Sequence, residues 1–202
     1  MYPARVFVTL EGPEGAGKST VAQRLAMALE GRGQAVLLTR EPGGTPVGQR
    51  LRTVLLDSSK LTQKCELFLF LADRAEHVET VIRPALADGK VVLCDRFTDS
   101  TVVYQGYARG LELEYLRSLN DFATGDLRPD ITLLLDLEPE AGIARLESMD
   151  RLDAEPLEFH RKVRQGFLTE AAREEARWAV IDASQTPGAV FADCWKVLES
   201  RL

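Results

Sequence analysis

The sequence predicts an α/β protein: a five-stranded parallel sheet with helices on both faces. Three observations carry that prediction. Five apolar segments (Val6–Leu10, Ala35–Thr39, Val91–Cys94, Asp130–Leu137 and Ala179–Asp182) alternate with longer segments of helical periodicity. These runs are near-continuous in apolar character, as in strands covered on both faces. The polar, Gly- and Pro-rich stretches recur just after them, at residues 11–19, 39–44, 94–97, 136–138 and 182–184. Sheets of this kind bind ligands beyond the carboxyl ends of their strands.

The first strand leads into Gly12-Pro13-Glu14-Gly15-Ala16-Gly17-Lys18-Ser19. Gly, four residues, then Gly-Lys-Ser is the phosphate-cradling P-loop, and strand, loop, helix is the context it requires. Glycines let backbone N–H groups curl inward as an anion nest, and the following helix adds its positive end. Lys18 is expected on the β/γ phosphates and the Ser19 hydroxyl on Mg²⁺. Thr20 to Glu30 has Val21, Leu25, Ala28 and Leu29 on one helical face.

Further helices are expected over 47–56, 63–87 (with Pro84 kinking it or ending it early), 97–107 (closing on Gly106), 112–124, 139–148, 157–177 and 188–202. Arg40 to Pro46 holds two prolines and two glycines and is expected to be irregular. The charged stretch Met149 to Pro156 breaks periodicity.

At 202 residues and 45% hydrophobic content, one domain over 1–202 with an ample core is expected. A net charge of −6 argues against an extended nucleic-acid surface, though not against a nucleotide in a local positive pocket. Cys65, Cys94 and Cys194 lack metal-ligand spacing and read as reduced, mostly buried thiols of a cytoplasmic protein. Met1 to Arg5 reads as a direct lead into the first strand without a signal peptide, and no apolar run is long enough to span a membrane.

Asp95 closes the third strand, where P-loop enzymes place a carboxylate for Mg²⁺; Asp136 closes another and competes for that role. Arg96 and Arg40 lie in the ligand-facing layer and suit phosphate. Phe70 and Arg74, four apart, can present an aromatic plane and a guanidinium fork to one nucleobase, although spacing alone favours Phe70 as core beside Leu67 and Leu71. Arg145 and Arg151 flank a polar segment suited to closing over phosphates. His77 and His160 lack a partner pattern and read as structural or solvated. The Asn-Lys-x-Asp signature of a guanine-reading switch is absent, which favours a small kinase.

Glu14, Thr39-Arg40-Glu41-Pro42-Gly43-Gly44, Phe70-Leu71-Ala72-Asp73-Arg74, Asp95-Arg96-Phe97, Tyr104-Gln105-Gly106, Asp126 to Asp130, Asp150-Arg151 and Asp182-Ala183-Ser184 occur in order. Together they resemble bacterial thymidylate kinases, P-loop nucleoside monophosphate kinases, across essentially the whole chain. The resemblance implies ATP + dTMP → ADP + dTDP with Mg²⁺, a homodimer, and a short lid at about 145–156. It implies Phe70 on thymine, Arg74 and Ser100 or Thr101 at its polar edge, and Tyr104, with Gln105 beside it, against the deoxyribose. Glu14 would hold the 3′-hydroxyl, Arg40 and Arg96 the acceptor phosphate, Lys18, Ser19 and Thr20 the donor phosphates, and the stretch from Ser184 the adenine. Without an arginine in the P-loop, Arg151 or Arg145 is left to supply transition-state charge, with Arg151→Ala expected to lower kcat by about 10². The nearest alternatives are a kinase of another nucleoside or nucleotide, and a kinase-like binding protein without turnover.

Overall fold

The structure is a computed structural model describing residues 6–56 and 60–201. The lead-in at Met1 to Arg5 and a helix end at Leu202 lie outside the described residues. In chain order the elements are β1 (Val6–Glu11), α1 (Lys18–Glu30), β2 (Val36–Arg40), α2 (Pro46–Leu56), α3 (Gln63–His77), a π-helical stretch (Val78–Ile82) and α4 (Arg83–Ala87). There follow β3 (Val91–Asp95), α5 (Thr98–Thr101), a second π-helical stretch (Val102–Ala108), α6 (Leu113–Thr124), β4 (Ile131–Asp136) and α7 (Pro139–Ile143). The last three are α8 (Leu157–Arg173), β5 (Trp178–Asp182) and α9 (Pro187–Arg201).

Among the described residues the five strands form one all-parallel sheet, ordered β2-β3-β1-β4-β5. The strand period of two sorts side chains between two cores. Val6, Val8 and Leu10 of β1, with Val91 and Leu93 of β3, pack with Leu25 and Leu29 of α1 and Leu198 of α9. Phe7, Val92 and Cys94 point the other way, onto Val78, Ile82 and Leu86. A further cluster joins Tyr104, Phe159, Val163 and Phe167 under α8. Because β1, β3 and β4 are central, their carboxyl ends lie in the middle of one rim, and the ligand-binding residues emerge there.

Several local expectations are corrected. The second strand is an edge strand, half-exposed along its length, with Leu38 40% exposed. Pro84 does not end the helix begun at Gln63. The widened turn at Val78–Ile82 has the Arg83 N–H reaching Val78 O, five residues back, so the helix takes the proline without a break. Gly106 is buried inside the second π-helical stretch, and that segment turns only at Gly110. The helix expected over 139–148 stops at Ile143, where Arg145 and Leu146 donate three residues back to Gly142 and Ile143. The helix expected to reach residue 177 ends at Arg173, and Arg177 instead turns to pair with both carboxylate oxygens of Asp99 at 2.7 and 2.9 Å.

Candidate active site

The P-loop's shape rests on two glycine positions. Gly12 has φ 144° and a side chain there would strike Leu135 O; Gly15 has φ 68° and would strike Gly142 O of α7. The loop is thus pinned between β4 and α7, with Ala16 buried behind it. Lys18 folds back to donate to Gly12 O (3.0 Å) and Pro13 O (2.8 Å). Burial, then nearby Arg96, lowers its pKa to about 8, although Glu14 and Asp95 oppose the fall. The Ser19 hydroxyl donates to Asp95 at 2.5 Å, so the two oxygen groups expected around a metal ion adjoin. Asp136 faces elsewhere: both its oxygens are held by Arg164 at 2.7 and 2.9 Å.

From this cradle a cavity of about 310 Å³ continues past Arg40 and Arg96 to Phe70. Its floor is set by a buried carboxylate. Glu11, at the end of β1, accepts from the Phe97 N–H (2.8 Å) and the Ser100 hydroxyl (2.6 Å). Burial, then Asp99, pushes its pKa up to about 7. These bonds fix the turn in which Arg96 adopts φ 69°, an uncommon left-handed conformation for a non-glycine residue. The turn delivers the Arg96 guanidinium to Gly12 O (3.1 Å), Ser100 Oγ (3.3 Å) and Glu14 Oε2 (2.6 Å). Tyr104 donates to the other Glu14 oxygen at 2.6 Å, and Arg96 lies over its ring at 5.1 Å. Burial opposes ionisation of Glu14, but Arg96, Lys18 and the Tyr104 hydroxyl outweigh it and hold its pKa at about 2.

Phe70 is partly exposed and faces the cavity, while Leu67 and Leu71 are buried, so the core reading that spacing favoured is corrected. Arg74 also lines the cavity, but it is mostly committed to the protein. Its N–H groups donate to Glu41 (2.8 Å), Thr101 (2.8 Å), Asn120 (2.7 Å) and Phe97 O (3.0 Å). Four of its five donors are used, leaving one for a ligand. His77 is structural, bridging Thr39 (2.7 Å) and Glu41 (2.9 Å) with no exposed surface, and His160 is buried. Cys94 and Cys194 are buried; Cys65 is exposed.

The structure gathers Glu14, Gly15, Gly17, Lys18, Ser19, Thr20, Arg40, Phe70, Arg74, Asp95, Arg96, Ser100, Thr101, Tyr104 and Gln105 around one cavity. It does not bring there Arg145 and Arg151, the two arginines expected from a lid. Arg145 spans the P-loop and the loop after β5, donating to Ala183 O (3.2 Å) and Gly15 O (3.5 Å). Arg151 turns inward, to Leu55 O (2.9 Å) and the Glu66 carboxylate (2.6 Å). Ser184 is exposed beyond β5, its N–H held by Asp182 at 2.8 Å.

The sequence reading missed Arg52, which lines the cavity from α2 and donates to Pro42 O at 3.1 Å. Burial and the neighbouring Arg40 lower its pKa. A signal existed: Arg52 follows Gly48 by one helical turn, just past the irregular turn at the ligand-facing end of β2. Asp150 and Leu152, from the segment between α7 and α8, complete the wall.

A P-loop that opens onto a second cationic compartment ending at an aromatic ring defines a kinase of the P-loop class, with places for a donor and an acceptor. The thymidylate kinase family model matches residues 10–194. The chain is 54% identical to the thymidylate kinase of Desulfovibrio desulfuricans, over 98% of this chain and 96% of that protein. It is 55% identical to that of a Synechococcus strain, over 98% and 96%. The crystal structure of thymidylate kinase from Ehrlichia chaffeensis superposes with a TM-score of 0.80 at 36% identity, covering 96% of this chain and 98% of that one. The chain belongs to the thymidylate kinase family, and its reaction is transfer of a phosphoryl group from ATP to dTMP, giving dTDP. No described helix is long and apolar enough to cross a membrane.

Proposed function

We propose that the cavity's far compartment is the dTMP site and the P-loop the ATP site, with Glu14, Arg96 and Tyr104 at their junction. The convergence of those three side chains carries the reading. They satisfy one another in the structure; with dTMP bound, Arg96 turns to its phosphate, Glu14 to the 3′-hydroxyl, and Tyr104 closes the 2′ side. Phe70 stacks on thymine, with the remaining Arg74 donor, Ser100, Thr101 and Gln105 at the base edge. Arg40 and Arg52 share the acceptor phosphate with Arg96.

The acceptor phosphate is already a nucleophile, so catalysis is positioning and charge neutralisation rather than general-base chemistry. Lys18 reaches the donor phosphates from the loop carbonyls it now holds. Ser19 and Asp95 are hard oxygen ligands that fit Mg²⁺. That ion would neutralise charge on the transferred group. Arg145, between the P-loop and Ala183, serves the donor's base and ribose end together with Ser184. Arg151 acts through the lid, and the charge at the transferring group comes mainly from Lys18 and Arg96.

Phe68, Tyr115 and Phe122 are 57%, 60% and 88% exposed on α3 and α6, and Val47 and Val54 are exposed on the adjoining α2. Such apolar exposure on adjacent helices supports a homodimer formed there. A single cytoplasmic domain with a lid at about 145–156, and no nucleic-acid partner, completes the reading. Steady-state turnover of dTMP, dUMP, dCMP, AMP and thymidine with ATP–Mg²⁺ tests it. The dTMP kcat/KM is expected to be highest, and a better competitor would overturn the assignment of the far compartment.

A further inference from the structure

Glu66 is a carboxylate 1% exposed, one helical turn before Phe70 on α3. Its Oε1 accepts from Gln105 Nε2 at 2.9 Å and Arg109 Nε at 2.7 Å. Its Oε2 accepts from Arg109 Nη2 at 3.2 Å and lies 2.6 Å from Arg151 Nη2. Arg109 also holds Glu155 at 2.9 Å, and Arg151 donates to Leu55 O at 2.9 Å. One carboxylate thereby ties α3, the second π-helical stretch and the lid together, with the end of α2 joined through Arg151.

Each tied element contributes to the acceptor compartment at a nearby position. Phe70 follows Glu66 on α3, Gln105 is itself in the wall, Asp150 and Leu152 flank Arg151, and Leu56 follows Leu55. The group has two guanidinium and two carboxylate charges, so it is neutral as a set. Removing Glu66 would leave two largely buried guanidinium groups facing each other with a single carboxylate.

We propose that Glu66 is a positioning residue for dTMP: it latches the lid through Arg151 and Arg109 against the helix bearing Phe70, so that base platform and lid move as one unit. Glu66 touches no reacting atom. Its effect falls on the acceptor and leaves the donor site, on the far side of Arg96, as it is. The proposal rests on the assignment of the far compartment to dTMP, and turnover of dTMP by the unaltered enzyme is the separate control for that assignment.

The test is steady-state kinetics of Glu66→Gln and Glu66→Asp, with thermal unfolding as the check on folding. For Glu66→Gln the expected result is a KM for dTMP raised about tenfold or more, with KM for ATP within about twofold and a smaller change in kcat. Glu66→Asp, which keeps the charge, is expected to recover part of that loss. Equal rises in both KM values, or no change in a folded variant, would overturn the proposal. Hydrogen exchange on the unaltered enzyme decides the case where neither variant folds. Amides at 150–155 and 63–70 are expected to gain protection together on dTMP binding and not with ATP alone, and independent responses would overturn it.

Discussion

Lys18 is held by the carbonyls of Gly12 and Pro13, where burial lowers its pKa to about 8. Bound phosphates favour the ammonium form and raise that value again. The kcat/KM for ATP should therefore fall as pH rises through about 8, while kcat at saturating ATP stays flat. A pH-independent KM for ATP between pH 7 and 9 would show that Lys18 stays charged without nucleotide. The pKa of Glu14 is also lowered, which for a carboxylate favours the charged form. Its folded-state pKa of about 2 lies below the ordinary 4.5, so its stabilising contribution is present above 4.5 and is lost as pH falls towards 2. Urea midpoints of Glu14→Gln should vary less over that window than those of the unaltered protein, and KM for dTMP should rise. Sequence patterning placed Glu14 and Arg96 in one layer, because strand ends are readable from apolar runs, whereas Tyr104 was indicated only by the family resemblance. It could not show that Arg74 is mostly saturated internally, since its partners Glu41, Thr101 and Asn120 are 27 to 46 residues away.

Among the elements, α3 has the clearest division of labour. Leu67 and Leu71 pack on Leu116 of α6, while Phe70 turns to the cavity. Phe70→Ala should raise KM for dTMP by about tenfold, given about 1–3 kcal/mol for one base–aromatic stack. It should leave unfolding nearly unchanged, because the ring is not core; a loss of stability comparable to Leu67→Ala would return Phe70 to the core. Helices α1 and α9 present the contrary case. Arg24 lies over Phe191 at 4.3 Å, Phe191 stacks on Trp195, and Arg32 lies over Trp195 at 4.5 Å and pairs with Glu199. Trp195→Ala is expected to cost about 1–3 kcal/mol, less than a fully buried aromatic, with kinetics unaltered. Calorimetry and a turnover assay on the same preparation check both halves. Long helices were legible because 3.6-residue periodicity averages over several turns. The end of α7 was not, because Gly142 packs against the P-loop carbonyl of Glu14 and the chain then tightens, a contact that no local pattern reports.

For the molecule as a whole, the sheet order places the central strands β3, β1 and β4 beneath the cleft, and the sequence pattern anticipated five strands but not which were edges. The half-exposed β2 became recognisable only once β3 was its sole neighbour among the described strands. The exposure of Phe68, Tyr115 and Phe122 was illegible for a related reason: packing decides which apolar side chains stay outside, and no local pattern reports it. On the proposed homodimer, Phe122→Glu combined with Phe68→Glu should shift sedimentation equilibrium from dimer to monomer; an unchanged mass would overturn an interface on α3 and α6.

On the proposed assignment, the closed circuit of Arg96, Glu14 and Tyr104 gives acceptor binding the character of ion exchange. An arriving dianion does not meet a bare guanidinium; it takes over from a resident carboxylate, which turns to a neutral hydroxyl. The net attraction is smaller than a count of nearby cations suggests, and in a partly buried site it is poorly screened. Affinity for dTMP should depend only weakly on ionic strength, whereas ATP at the more open loop should weaken visibly as salt is added.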